Sequence, residues 1–340
     1  TIYYFFKAIA GFAFPDPGAS TDLFVGFISN AILPLIYTAI FMATTIYIVY
    51  KGIQDGIEKY SNIMMPALFV IIIILAIRSL TLPGAGAGLE FYLKPDLSKI
   101  DGETLLAALG QVFFSLSLGM GSILTYGSYL SQDENIPFVC TIVPMMDTLI
   151  AFLAGLVIFP AVFAYGFEPG SGGGLAFITL PAVFNEMPAG NLFGGAFFFL
   201  LFLAALTSSI SLLEPVVAYM MEEHGWERKK ATITMGGLIF VVGIACSLSN
   251  GIWSGFIVLD RNIFDLLDFI SGNVLLPISG MLTAIFVAWV WGSKNALQEA
   301  TNDGTIEFAW GNLWANVLIK YVAPILIAVV FMSSVGIIKI

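Results

Sequence analysis

Long apolar runs separated by polar stretches dominate the chain. Runs of twenty or more apolar residues recur, the length that crosses a ~30 Å hydrocarbon core. They do not alternate apolar with polar positions, as the strands of an outer-membrane barrel do. Eight complete spans are read, over 23–50, 62–82, 104–129, 136–165, 192–221, 231–249, 264–291 and 314–338, with half a span before them at 2–14. The pattern predicts an all-α polytopic membrane protein. The polar stretches fall on two sides. One side has YKGIQDGIEKY, SQDEN, EEHGWERKK and GSKNALQEATNDGTIEF. The other has FPDPGAST, the long stretches 81–103 and 166–191, and 250–262. Within 166–191, GLAFITLPAVFNEM reads as a re-entrant or capping helix pair.

Composition agrees with this reading. Of 340 residues 59% are hydrophobic and only 11% charged, whereas a soluble domain is about a quarter charged. Mean hydropathy is +0.94. The net charge is −10 and the thirteen basic residues are spread thinly, so no basic patch offers itself to nucleic acid. Seven basic residues fall on the first side and six on the second. The rule for orientation weights short loops, so the cluster Arg228-Lys229-Lys230 places the first side in the cytoplasm. A multi-pass protein of the cell inner (plasma) membrane, embedded in the lipid bilayer, is expected. Cys140 and Cys246 both sit in apolar runs and offer neither a disulfide framework nor a zinc site. The single histidine, His224, lies in EEHGWERKK and reads as a solvated loop residue, which argues against zinc, haem or intramembrane acid–base chemistry. Residues 2–14 show no basic n-region and no small-residue cleavage site, so they do not read as a signal peptide. Thr1 and the apolar stretch behind it predict a chain that starts inside a helix, and residues 1–340 read as one transmembrane domain.

Candidate chemistry lies where polar groups interrupt the spans. In FFSLSLGMGSILTYGSY, Ser115, Ser117, Gly119, Gly121 and Ser122 fall within eight positions. One reading is a helix broken at membrane depth, exposing carbonyls for a cation and a half-helix N-terminus for an anion. The other is close helix–helix packing through small residues. In LAALTSSISLLEP, the hydroxyls of Thr207, Ser208, Ser209 and Ser211 are hard ligands suited to Na⁺, or they bond back to their own helix. Asp147 lies twelve residues into its span, where a carboxylate costs ~3 kcal/mol. Bound Na⁺ or a structural hydrogen bond would offset that. Asp265 and Asp268 lie near a span's outer end, where a solvated carboxylate is also reasonable. Glu214 reads as a buried hydrogen-bonding partner of a neighbouring helix. Phe113 and Phe114 flank the interrupted segment, either as core or as part of a site.

These motifs resemble the neurotransmitter:sodium symporter family. GQVFFSLSLGMGSILTYGSY is similar to its sixth helix, AALTSSISLLEP to its eighth, FITLPAVF to its fourth extracellular loop, and KGIQDGIEKYSNIMMPALF to the junction of its fourth and fifth helices. The resemblance implies an inverted-repeat sodium-symporter fold with a broken helix. It implies that Phe114 is an aromatic lid and that Ser115 serves the first sodium site beside the substrate carboxylate. Leu116, Ser117 and Met120 would line the substrate pocket, with Ser208 and Leu212 on its wall. Asp147 stands where the family usually has a sodium-binding asparagine. Ala204, Thr207 and Ser208 match the second sodium site, Asp268 the outer gate, and Ser128, Tyr129 and Glu222 the inner gate.

Two departures shape the expectation. Ala151 stands where animal members use a serine for chloride, and Asp147 can supply that negative charge permanently, so transport is expected to be chloride-independent. The family's first two helices and the front half of its third find no counterpart, so the chain reads as an N-terminally incomplete member. The function implied is sodium-coupled secondary active symport of an amino acid by alternating access, with co-transported sodium, no organic cofactor and no enzymatic step. Met120 is unbranched and adaptable, which favours a bulky hydrophobic or aromatic L-amino acid. A rival is an amino-acid-sensing membrane receptor of the same fold that binds without transport.

Overall fold

The structure is a computed structural model that describes residues 1–15, 18–131 and 133–338. Asp16, Pro17, Gln132 and Lys339, counted in the loop and charge readings above, lie outside the described residues. In chain order the helices are α1 (Ile2–Ala10), α2 (Ala19–Ile28), α3 (Leu33–Tyr50), α4 (Lys59–Leu80), α5 (Ala85–Leu93), α6 (Gly102–Ser115), α7 (Ser122–Gly127) and α8 (Ile136–Ala164). Then come α9 (Gly172–Gly174), α10 (Leu180–Glu186), α11 (Gly190–Glu222), α12 (Arg228–Leu248), α13 (Ile263–Asp268), α14 (Leu276–Ile285), α15 (Ser293–Ala300), α16 (Gly311–Leu313) and α17 (Ala323–Ser334). Seven helical runs among the described residues are long and apolar enough to cross a membrane. The span read over 104–129 is not among them because it is interrupted in its middle.

The chain divides into two compact units. The first holds Thr1–Pro95 and Leu149–Phe264. Its centre is α11, on which Gly190, Gly194, Phe197, Phe198, Leu206, Ile210, Leu213 and Val217 are buried. Spacings of three and four residues within 190–197 and within 206–217 put each set on one face of α11. α1, α3, α4, α10 and α12 pack around it. Between helices in lipid no hydrophobic drive operates, so close van der Waals fit must do the work. Gly194 supplies it by letting the Phe184 ring approach to 3.2 Å of where a Cβ would stand. Tyr4 is enclosed by Phe198, Phe177 and Phe12, with ring centroids 5.2, 5.1 and 6.3 Å away.

Three expected boundaries are corrected in this unit. The span 23–50 is two helices, because Asn30 accepts the Ile32 and Leu33 amides through Oδ1 and Pro34 sits in the first turn of α3, where its missing N–H costs nothing. The stretch 81–103 contains α5, which lies against α8. A Cβ at Gly155 would fall 2.1 Å from the Tyr92 ring, and Tyr92 Oη donates to the Phe152 carbonyl at 3.3 Å. Finally, GLAFITLPAVFNEM is one helical run, not a pair. α9 passes through a π-helical turn at Leu175–Thr179 into α10, whose Leu180–Phe184 segment is buried.

The second unit holds Asp96–Thr148 and Asp265–Ile340. Here α14 packs on α17 and α17 on α6. Two further boundaries move. The span 264–291 runs on as Ile263–Ala300, through π-helical turns at Phe269–Leu275 and Phe286–Gly292. The span 314–338 is Gly311–Ser334.

Candidate functional site

The interrupted span breaks at residues 116–121. α6 ends in a paired closure, with the Leu118 amide donating to the Phe113 carbonyl at 2.9 Å and the Ser117 amide to the Phe114 carbonyl at 3.1 Å. This is the Schellman arrangement, whose C′ residue must be left-handed. Ser117 takes that position with φ = 53°, where glycine is usual. Gly119 (φ = 76°) and Gly121 (φ = 81°) continue the excursion, and α7 then begins at Ser122. No described backbone donor reaches the carbonyls of residues 116–120. At membrane depth such groups are tolerated only against protein, water or a bound species. Gly119 is held tightly, since a Cβ there would lie 2.5 Å from the Leu276 carbonyl oxygen.

At the edge of the break Ser115 Oγ donates to Asp147 Oδ2 at 3.0 Å. Asp147 is half-buried on α8. The two residues expected from separate spans to share an ion site are thus in direct contact. The pair offers a carboxylate and a hydroxyl next in the chain to peptide oxygens that no described backbone donor reaches, a set of hard ligands for a small cation. Leu116, Ser117 and Met120 are half-buried and Phe114 is exposed.

The other expected sodium and substrate residues lie on α11 in the first unit. Thr207 Oγ1 donates to the Ala204 carbonyl at 2.9 Å, so two of the oxygens expected at one ion site are adjacent. Ser209 and Ser211 bond back in the same way, to Leu206 and Ser208 carbonyls, each at 2.9 Å. The back-bonding considered for these hydroxyls is therefore real, although it runs three residues back and not four. Ser209 also meets Thr45 Oγ1 of α3 at 2.8 Å. Ser208 and Leu212 are exposed. Of the gate residues, Asp268 ends α13 and is exposed. Ser128 Oγ closes α7 by donating to the Thr125 carbonyl at 2.7 Å, with half-buried Tyr129 beside it, and Glu222 is exposed at the last turn of α11.

Sequence reading placed Glu214 in a buried hydrogen bond but missed its partner. Glu214 is fully buried and pairs with Arg228 of α12 through Oε2 and Nη2. Arg228 Nε simultaneously donates to the Val49 carbonyl of α3 at 3.0 Å. The available signal was an arginine at the head of the helix that follows, counted instead with its lysine neighbours. His224 stands outside any cluster. Its ring meets Tyr219 edge-on at 5.5 Å, and no group of three metal-ligating side chains occurs among the described residues.

Comparison with known proteins adds a family match, three relatives and one solved structure. The profile of the Sodium:neurotransmitter symporter family matches residues 32–339. The uncharacterized sodium-dependent transporter YhdH of Bacillus subtilis is 40% identical over 317 residues, which is 93% of this chain and 70% of YhdH. A sodium-dependent transporter of Haemophilus influenzae is 39% identical over 301 residues, 88% of this chain and 65% of its own. The sodium-dependent nutrient amino acid transporter 1 of Drosophila melanogaster is 28% identical over 313 residues, and the chain spans 46% of its length. The crystal structure of MhsT in complex with L-phenylalanine superposes with a TM-score of 0.87 at 45% identity, covering 98% of this chain and 75% of that one.

Proposed function

Because the chain belongs to the sodium:neurotransmitter symporter family, a family of membrane transporters and not of enzymes, we propose that it forms the greater part of a chloride-independent symporter of bulky hydrophobic or aromatic L-amino acids in the inner membrane. The observation that carries this reading is the break at 116–121, with carbonyls that no described backbone donor reaches next to the Ser115–Asp147 pair. Sodium at this first site takes oxygens from Ser115, Asp147 and the substrate carboxylate. Sodium at the second takes Ala204, Thr207 and Ser208. The resemblance assigns substrate binding to Phe114, Leu116, Ser117, Met120, Ser208 and Leu212. The outer gate is assigned to Asp268 and Phe114, and the inner gate to Ser128, Tyr129 and Glu222. An isolated ion in a dry pocket would be costly, so sodium and the zwitterion enter together. The hydrophobic preference is supported by L-phenylalanine bound in MhsT, and the chloride independence by Asp147 with Ala151.

The test is accumulation of labelled L-phenylalanine in proteoliposomes by the complete symporter, of which this chain forms the greater part. Uptake is expected under an inward sodium gradient, to vanish in choline, and to be unchanged when gluconate replaces chloride. Competition should favour leucine and tryptophan. Preference for glycine, or uptake that stops without chloride, would overturn the assignment, and binding without accumulation would point to the sensor.

A further inference from the structure

The break does not rest on its own helix alone. Within the second unit it is seated on α14, which continues the helical run that begins at α13 with Asp268. Two contacts make the seat. Gly119 lies against backbone, since a Cβ there would be 2.5 Å from Leu276 O and 3.1 Å from Gly280 N. Gly280 in turn receives the Phe113 ring, and its own Cβ would lie 2.9 Å from Phe113 Cε1. Phe113 is also the residue whose carbonyl accepts the Leu118 amide that closes α6. The ring in the Gly280 recess and the bond that starts the unwound segment therefore belong to one residue. Leu276 and Pro277, one turn earlier on α14, are buried, whereas Phe113 and Gly280 are half-buried.

We propose that Gly280 is a positioning residue for the break: by admitting the Phe113 ring it sets where α6 stops, and so fixes residues 114–120 against the helix that carries Asp268. The inference rests on reading 114–120 as the substrate-binding segment. It adds that the width of the recess at position 280, outside that segment, sets substrate affinity.

The experiment compares the wild type, Gly280→Ala, Phe113→Leu and the double variant in lipid nanodiscs. Amide hydrogen exchange over residues 116–121 is read without ligand, and L-phenylalanine affinity is read in sodium. Gly280→Ala pushes on the ring and should speed exchange in the break, and weaken phenylalanine, by about tenfold each. Exchange in α11 should stay unchanged. Phe113→Leu leaves the recess half-empty and should act in the same direction. The added methyl and the lost ring atoms offset each other, so the double variant should return towards wild type in both readouts, a coupling that plain loss of packing at two sites does not give. Unchanged exchange and affinity in Gly280→Ala, or effects that simply add in the double variant, would overturn the proposal. If the wild type binds no phenylalanine, the substrate reading fails while the exchange data still decide whether Gly280 holds the break. If Gly280→Ala does not fold, Phe113→Leu decides, and wild-type exchange in it refutes the seat.

Discussion

At the scale of single residues, the least expected feature is Ser117 with φ = 53°. A left-handed side chain costs roughly 1–2 kcal/mol. Glycine there would remove that cost but lose about 0.5–1 kcal/mol to its freer unfolded chain. Ser117→Gly should therefore stabilise the protein by a net ~0.5–1 kcal/mol, seen as a raised thermal midpoint, and Ser117→Val should lower it. A midpoint that falls with glycine would mean the serine hydroxyl contributes more than its backbone costs. Asp147 makes the second residue-scale case. Asp147→Asn keeps an acceptor for Ser115 Oγ but removes the charge proposed to stand in for chloride. Sodium should then bind at least about tenfold more weakly in chloride-free buffer. Adding Ala151→Ser should restore binding only when chloride is supplied. Equal sodium affinity in Asp147→Asn and wild type, both without chloride, would remove the charge argument.

At the scale of elements, one ion pair ties three helices. Arg228 reaches Glu214 of α11 and the Val49 carbonyl of α3 at once, and Glu214 is wholly enclosed. Removing one partner of a buried pair leaves a stranded charge and costs ~3–5 kcal/mol. Glu214→Ala should therefore unfold or mispack the unit. Glu214→Met with Arg228→Met should be far milder, and Arg228→Lys should not substitute, because one ammonium cannot span both acceptors. Thermal melts in detergent would separate the three, and a double variant as unstable as Glu214→Ala would contradict the argument. Much of this level was legible in the sequence. The spans followed from apolar length, and glycine and serine crowding at 115–122 marked the break as one of two readings. The position of the left-handed serine was not legible, because pattern and composition carry no backbone sign. The turn between α2 and α3 hid inside an apolar run, since a single asparagine cap does not interrupt hydropathy. α5 was read as loop because nine residues with two glycines are too short for a period to show. The Glu214–Arg228 contact joins residues fourteen apart in sequence across a turn, which no helical spacing predicts.

At the scale of the whole molecule, the proposed function is a statement about linkage. If the substrate carboxylate completes the coordination of sodium beside Ser115 and Asp147, each ligand must raise the affinity of the other by the same factor, since coupling free energies are reciprocal. Factors of roughly 5–150 are typical of such coupling. The half-saturating sodium concentration, measured with and without saturating L-phenylalanine, should fall by a factor in that range. The dissociation constant of phenylalanine, measured at low and saturating sodium, should fall by the same factor, and potassium should produce neither change. Asp147→Ala should shrink both factors together, because it thins the ligand set the two share. Thr207→Ala, on α11, should weaken sodium while leaving most of the coupling intact, because no substrate atom is assigned to the second site's Thr207. Two ligands that bind with a factor near one would be independent passengers, and a gradient of one could not then drive the other.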